Sequence, residues 1–270
     1  MSANWRDQFA EALGPIVATR LLSGGAQRVW AAAGRELLVK LGPSVLDEAE
    51  GLRELRAVDG GPAVPEVVLA EPGLLVTEWV AQAAQTDLHE DTLGRALAAL
   101  HTASWREWGG GSRWIGLCQV DAGVSATGAE FYARRLSDLA ARCGLSAQVQ
   151  PVIDRLDDLL PATGPSLLHG DLWWGNVLWG AGGRPWLIDP SVHGGHPEED
   201  LAMLGLFGPV PERLIGAYQE VRPLDNGWQD RVALFQLYPL LVHTVLFGGS
   251  YRSRATEAAR RYQRAAGKSR

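Results

Sequence analysis

Lysine is almost missing from this chain of 270 residues: it occurs only at Lys40 and Lys268, and arginine carries the rest of the positive charge. Cysteine is as scarce. Cys118 and Cys143 are too few for a disulfide framework and lack metal-ligand spacing, which suits reduced thiols in a cytoplasmic protein. No apolar run is long enough to cross a bilayer comfortably. The most apolar late segment, Val232 to Phe247, is broken by Gln236, Pro239 and His243 and reads as a buried helix. A signal-peptide pattern is also absent, since Asn4 to Leu13 is amphipathic and stops at Gly14-Pro15, as a short surface helix does. The formal charge of −6 argues against a general nucleic-acid binder, and Arg252, Arg254, Arg260, Arg261, Arg264 and Arg270 read as a solvated helix face. Walker and Rossmann glycine spacings are missing too. His193 and His196 have no Cys or third His nearby, so a zinc site is not expected.

What is present is the stretch Leu168-His169-Gly170-Asp171-Leu172-Trp173-Trp174-Gly175-Asn176, followed by Leu187-Ile188-Asp189-Pro190. Asp171 can accept the proton of an alcohol, and Asn176 and Asp189 offer hard oxygens to Mg²⁺, which takes few protein ligands and keeps other positions for phosphate and water. The runs Val177-Leu178-Trp179 and Trp186-Leu187-Ile188, separated by a Gly-rich turn, read as a hairpin that brings Asn176 and Asp189 together. This spacing points to phosphoryl transfer from a Mg²⁺-nucleotide to a hydroxyl.

Lys40 ends the strand-like run Glu36 to Leu41 in a chain that otherwise uses Arg. A compact ammonium at that place fits phosphate oxygens. The helical spacing of Leu46 to Leu55 supplies its partner, with Glu48 preferred and Glu50 possible. Gly24 and Gly25 form a turn ahead of Lys40 whose backbone N–H groups can approach phosphates closely. Main-chain groups near Glu78 and Val80 either pair with adenine or belong to a plain edge strand.

The order of patterns predicts a helix, three strands from about Val17 to Leu41, a helix near Glu48 and strands around Val67 to Val80. From Leu93 on, the chain reads as mainly helical apart from the catalytic hairpin. Strands followed by helices imply a two-lobed α+β protein with a connector at Ala81 to Ala84.

Further motifs are Gly195-His196-Pro197-Glu198-Glu199-Asp200-Leu201-Ala202-Met203, Leu206-Phe207-Gly208, Gln236 to His243, Phe247-Gly248, and Glu130 to Leu136. With the His169-Gly170-Asp171 core, they make the chain resemble the fructosamine kinase (ketosamine-3-kinase) family of the protein-kinase-like and aminoglycoside phosphotransferase fold group. The resemblance implies a bilobal protein-kinase-like α+β fold, with a small β-rich nucleotide-binding lobe over residues 1–80 and a larger, mainly helical catalytic lobe over 81–270. It implies ATP and Mg²⁺ as cofactors, and phosphorylation of the sugar O3 of a ketosamine, free or on a glycated protein. Elimination of the 3-phosphate then frees the amine. By carry-over, Asp171 is the base, Asn176 and Asp189 bind Mg²⁺, Lys40 holds phosphates, Glu48 positions Lys40, and Asp200 braces the catalytic loop.

The chain departs from the family where Trp174 replaces a small residue and His193-Gly194 replace aromatic ones. Trp173, Trp174 and His193 are therefore candidate acceptor-site residues. Two readings of Trp174 stand side by side: an indole stacked on the sugar, or a local repacking without change of substrate. The other function classes are an aminoglycoside or small-alcohol phosphotransferase and a nucleotide-binding pseudokinase. A protein kinase fits poorly, since Asp189-Pro190 stands where Asp-Phe-Gly is usual.

Overall fold

The computed structural model describes residues 4–263, so Arg264, Lys268 and Arg270 lie outside the described residues. Asn4 caps α1 (Trp5–Leu13) by accepting the Arg6 N–H at 3.3 Å, and the helix buries Phe9. Strands β1 (Ile16–Leu21), β2 (Gln27–Ala31) and β3 (Glu36–Leu41) then form an antiparallel meander. After α2 (Val45–Arg56), β4 (Val67–Glu71) and β5 (Leu74–Glu78) complete a five-stranded sheet in the order β1-β2-β3-β5-β4. Alternation along the strands sends Val29, Leu37, Val39 and Val76 into one core with Phe9. Lys40 lies on the opposite face because side chains alternate along a strand.

The second lobe starts with α3 (Asp87–Thr102), followed by the short strands β6 (Trp108–Gly109), β7 (Trp114–Ile115), β8 (Cys118–Gln119) and β9 (Val124–Ser125). Helices α4 (Gly128–Cys143), α5 (Ser146–Ile153) and α6 (Leu156–Leu159) come next. Strand β10 (Ser166–Leu168), the hairpin β11 (Val177–Trp179) and β12 (Pro185–Leu187), and β13 (His193–Gly195) carry the motif region. Helices α7 (Glu198–Leu204), α8 (Glu212–Val221), α9 (Trp228–Phe247) and α10 (Ser250–Gln263) close the lobe. The expected buried helix is α9, whose residues from Leu237 to Val242 are all buried. No helix among the described residues is long and apolar enough to cross a membrane.

One difference from expectation is the sheet β10-β13-β6-β9 and the β7–β8 pair inside a lobe read as helical. Strands of two or three residues are too short to show alternation in sequence.

Three apolar clusters hold the molecule together. One lies under the five-stranded sheet, and another joins α4, α5, α7, α9 and α10. The third crosses between lobes: Val45, Ala49, Leu52 and Leu55 of α2 pack with Leu93 and Leu97 of α3 and with Leu172, Val177, Leu187 and Val192 of the motif region. Helix α2 is thereby fixed to the segment that carries the catalytic motif. Two polar ties add to this, from Leu187 N to Ala63 O at 2.8 Å and from Arg113 N to Asp47 Oδ2 at 2.9 Å.

Candidate active site

The loop after β10 owes its shape to buried hydrogen bonds. Asp200, at the start of α7 and fully buried, accepts from the N–H groups of His169 (2.8 Å) and Gly170 (2.9 Å) and contacts His101 Nε2 at 3.2 Å. Burial opposes its ionisation, but the His101 hydrogen bond, the charges of His101 and His169 and the Gly170 N–H outweigh that and hold its pKa below the usual carboxylate value. Gly170 has φ +79°, and a Cβ there would collide with the Ser191 carbonyl, so only glycine fits. His169 Nδ1 accepts the Asp171 N–H at 3.3 Å, which leaves Nε2–H to donate to Ile188 O at 3.0 Å. That ring ties the Asp171 loop to the segment ending in Asp189.

The β11–β12 hairpin places Asn176 and Asp189 at its open end, with Val177 opposite Leu187 and Ile188 N bonded to Asn176 O at 3.0 Å. Asn176 Nδ2 faces three acceptors: Asp171 O (2.8 Å), Asp171 Oδ2 (3.3 Å) and Asp189 O (3.5 Å). Its amide oxygen is thus the atom left for a cation. Asp189 is the one non-glycine with positive φ (55°) among the described residues, a strained backbone state that clusters at functional sites. Burial, followed by the charge of Asp189, pushes the pKa of Asp171 up to about 7.

From the other lobe, the Lys40 ammonium contacts Glu48 Oε1 at 2.7 Å and pairs with Asp189. Burial pulls its pKa down, but Glu48 and Asp189 more than compensate, so it stays protonated. Glu48 itself is pushed up, chiefly by burial. Glu50 makes no ion pair among the described residues and lines a separate hollow. Gln27 pairs with Val39, so the turn containing Gly24 (φ +72°) and Gly25 (φ +83°) sits at the Lys40 end of the sheet. Glu78 pairs with Leu37, roughly 10 Å along β3 from Lys40 at about 3.3 Å per residue. Its side chain accepts from Glu66 N at 3.1 Å, and Val80 is buried.

Asp171, Asn176, Asp189, Glu48 and Trp173 line one cleft of about 260 Å³. Pro190, Ser44, Ser112, Trp114 and Gly116 complete its wall, and the sequence reading missed the last four. Long-range bonds place that wall, Ser191 Oγ to Trp114 O (2.8 Å) and Ser112 N to Val192 O (2.7 Å), and no local motif announces them.

Trp174 and His193 lie outside the cleft that Trp173 lines, and His193 instead lines a small hollow of about 20 Å³ behind Asp171. Trp174 does not line the cleft: its indole packs against the interlobe core and tilts on Trp179 at 6.1 Å. Trp173 is extended (φ −120°, ψ 164°) just before the 3₁₀ turn Trp174–Asn176, so the chain changes direction between the adjacent tryptophans and they point to different sides. Trp173 is the exposed one. His193 is buried behind Asp171, donating from Nδ1 to Ser191 O (2.9 Å) and accepting from Arg135 at Nε2 (2.9 Å). Glu199 joins this group through Arg135 at 3.3 Å. His196 does not pair with His193 but lies near Glu198 and Asp225. Arg231 already holds Glu198 with two bonds (2.6 and 2.8 Å), so that trio offers a metal little.

For Mg²⁺ the donor set fits. Asp189 and the Asn176 amide oxygen are hard oxygens, and the Lys40 ammonium against Asp189 shows that this carboxylate is presented to a cation.

Residues 16–264 match the profile of the fructosamine kinase family. A ketoamine kinase of Lactiplantibacillus plantarum, so named as probable, is 35% identical over 223 residues, covering 76% of each chain. The match to a counterpart from Enterococcus faecium is 47% identical but spans only 34% of that protein. Among solved structures, a Thermobifida fusca protein assigned as a fructosamine-3-kinase superposes with a TM-score of 0.88 at 37% identity, covering 96% of this chain and 98% of that one. The streptomycin–ATP complex of the aminoglycoside phosphotransferase APH(2")-IIa shares the fold alone, with a TM-score of 0.67 at 14% identity over 97% and 98% of the chains. The fold is protein-kinase-like, with a β-sheet N-terminal region and a helical C-terminal region.

Proposed function

Because the chain belongs to the fructosamine kinase family, we propose that this phosphotransferase moves the terminal phosphoryl group of ATP to the O3 hydroxyl of a ketosamine, with elimination of the 3-phosphate then releasing the amine. The observation that carries this reading is the contact of Lys40 with Glu48 and Asp189, which line one cleft with Asp171 and Asn176.

In this reading residues 1–80 hold the nucleotide and residues 81–270 hold the catalytic loop and acceptor. Lys40, kept charged by Glu48, binds phosphate oxygens, and the backbone of Gly24 and Gly25 closes over them. Main-chain groups of Glu78 and Val80 face the base. Asn176 and Asp189 would hold Mg²⁺, which would supply positive charge against the transferring phosphoryl group. Asp171 accepts the O3 proton as the hydroxyl attacks phosphorus. A pKa of about 7 suits a base that must take a proton near neutral pH and then release it. Trp173, with Trp114 lining the same cleft, offers an apolar face for the sugar ring. The setting is cytoplasmic, and the acceptor is a free ketosamine or a glycated protein.

A panel of fructosamines, ribulosamines, aminoglycosides and choline tests this, with ³¹P and ¹H spectra locating the phosphate. Transfer to O3 of a ketosamine with little turnover of the others is the expected result. Preferential transfer to an aminoglycoside or choline would overturn it.

A further inference from the structure

Away from the cleft, where the loop after α2, α3 and the β11–β12 hairpin meet, lies a cavity of about 560 Å³ for which the chemistry above has no use. Arg56 at the end of α2, Arg95 on α3 and Arg184 just before β12 all line it, and no carboxylate is among its described lining residues. That is an unusual surface for a chain of net charge −6. Of the three guanidinium groups around this hollow, Arg56 and Arg184 have no carboxylate among the described residues to offset their repulsion.

Only Arg95 has a carboxylate partner among the described residues, Glu220 at 2.7 Å, which is not part of the lining. Arg56 uses one nitrogen on Val64 O (2.9 Å), and Arg184 lies over the Trp186 ring at 4.7 Å. Their remaining N–H donors form the forked geometry that matches phosphate oxygens. Val58, Pro62, Ala96 and Pro185 give the same cavity apolar wall, enough for a carbon skeleton.

We infer that this cavity binds a small anion carrying two phosphate groups, with its oxygens held by Arg56 and Arg184 and by the Arg95 nitrogen that Glu220 does not take. Such a ligand would touch α2, whose other end carries Glu48, and the hairpin that leads to Asp189. The 60–64 loop between them is already bonded to β12 through Leu187 N and Ala63 O. The site is therefore placed to influence both elements of the catalytic cleft, and it does not depend on which acceptor the cleft takes.

The test is calorimetric titration with pyrophosphate and with fructose 1,6-bisphosphate at fixed ionic strength. The protein is first saturated with Mg²⁺ and a non-hydrolysable ATP analogue, so the cleft is filled. One saturable site is expected, weakened at least tenfold in Arg56→Ala/Arg184→Ala. Binding should stay within twofold of wild type in Arg260→Ala/Arg261→Ala, which removes the same charge from the exposed face of α10. These arginines are solvent-exposed, and unchanged melting curves confirm that both variants fold. Tighter binding of the sugar bisphosphate assigns the site to a phosphate ester, and equal binding of pyrophosphate assigns it to the bare phosphate pair. No saturable binding, binding unaffected by the Arg56/Arg184 change, or equal weakening by both double variants overturns the proposal.

Discussion

Asp171 and Asp200 sit within one loop's reach of each other, yet their surroundings push them in opposite directions. Asp200 is the more deeply buried, but two backbone N–H groups and His101 satisfy it and keep its pKa low. Asp171 has one weak side-chain donor, Asn176 at 3.3 Å, and a like-charged neighbour in Asp189, and its pKa rises to about 7. Burial alone therefore does not decide ionisation; the donors and charges around each carboxylate do. Asp200 is satisfied by donors of its own, whereas Asp171 at the cleft surface is left short of them, so the cleft has capacity for a ligand.

The largest expected effect tests the base. Asp171→Asn should lower kcat by about 10²- to 10⁴-fold while changing the Kd for ATP by less than threefold, since general-base help is lost and nucleotide contacts remain. Near-normal turnover would remove Asp171 from that role. Asp200→Ala should act through structure instead, leaving the His169 and Gly170 N–H groups unpaired. A loss of about 3 kcal/mol, roughly 6–12 °C in Tm, is expected from calorimetry. A variant with unchanged Tm but poor kcat would blur the contrast between the two layers.

Asp189→Ala sharpens the contrast within the cleft. ATP affinity should fall about tenfold or more with Mg²⁺ present and much less with EDTA, because the lost group is assigned to the ion. Equal losses under both conditions would assign Asp189 to Lys40 alone. For the acceptor wall, Trp173→Ser should raise the KM for ketosamine roughly tenfold and leave the KM for ATP alone. Trp174→Ser should instead lower Tm by opening a hole beside Trp179, with no selective change in ketosamine KM. The reverse pattern would return the sugar to Trp174.

The smallest effect is on stability against pH. Folding raises the pKa of Asp171, so its contribution is fully present below about pH 4 and is lost as pH rises through about 7. Asp171→Asn should thus gain a few degrees over wild type above pH 7, with the gain shrinking toward pH 4. Melting curves across that range check it.

The residues proposed to carry the chemistry stand out in the sequence because each sits in a short local pattern. Asp171, Asn176 and Asp189 are spaced for a loop and a hairpin, and Lys40 and Glu48 follow a strand and a helix, which the structure brings together at 2.7 Å. The wall of Ser112, Trp114 and Gly116 was hidden because β7 and β8 have two residues each and contacts far along the chain place them. Trp173 and Trp174 could not be told apart because only the 3₁₀ turn decides which indole faces the cleft. The role of His193 as a link between Arg135 and the Ser191 carbonyl depends on α4, far away in sequence.

The most direct test of the contrast is to titrate both carboxyls in one protein labelled with ¹³C at the aspartate Cγ, with the two resonances assigned by Asp171→Asn and Asp200→Asn. Asp171 should titrate near pH 7, and Asp200 should stay ionised below the ordinary aspartate range. Adding Mg²⁺ with a non-hydrolysable ATP analogue should shift the Asp171 midpoint downward, as positive charge offsets Asp189. An Asp171 midpoint near 4, or one at or below that of Asp200, would contradict the account.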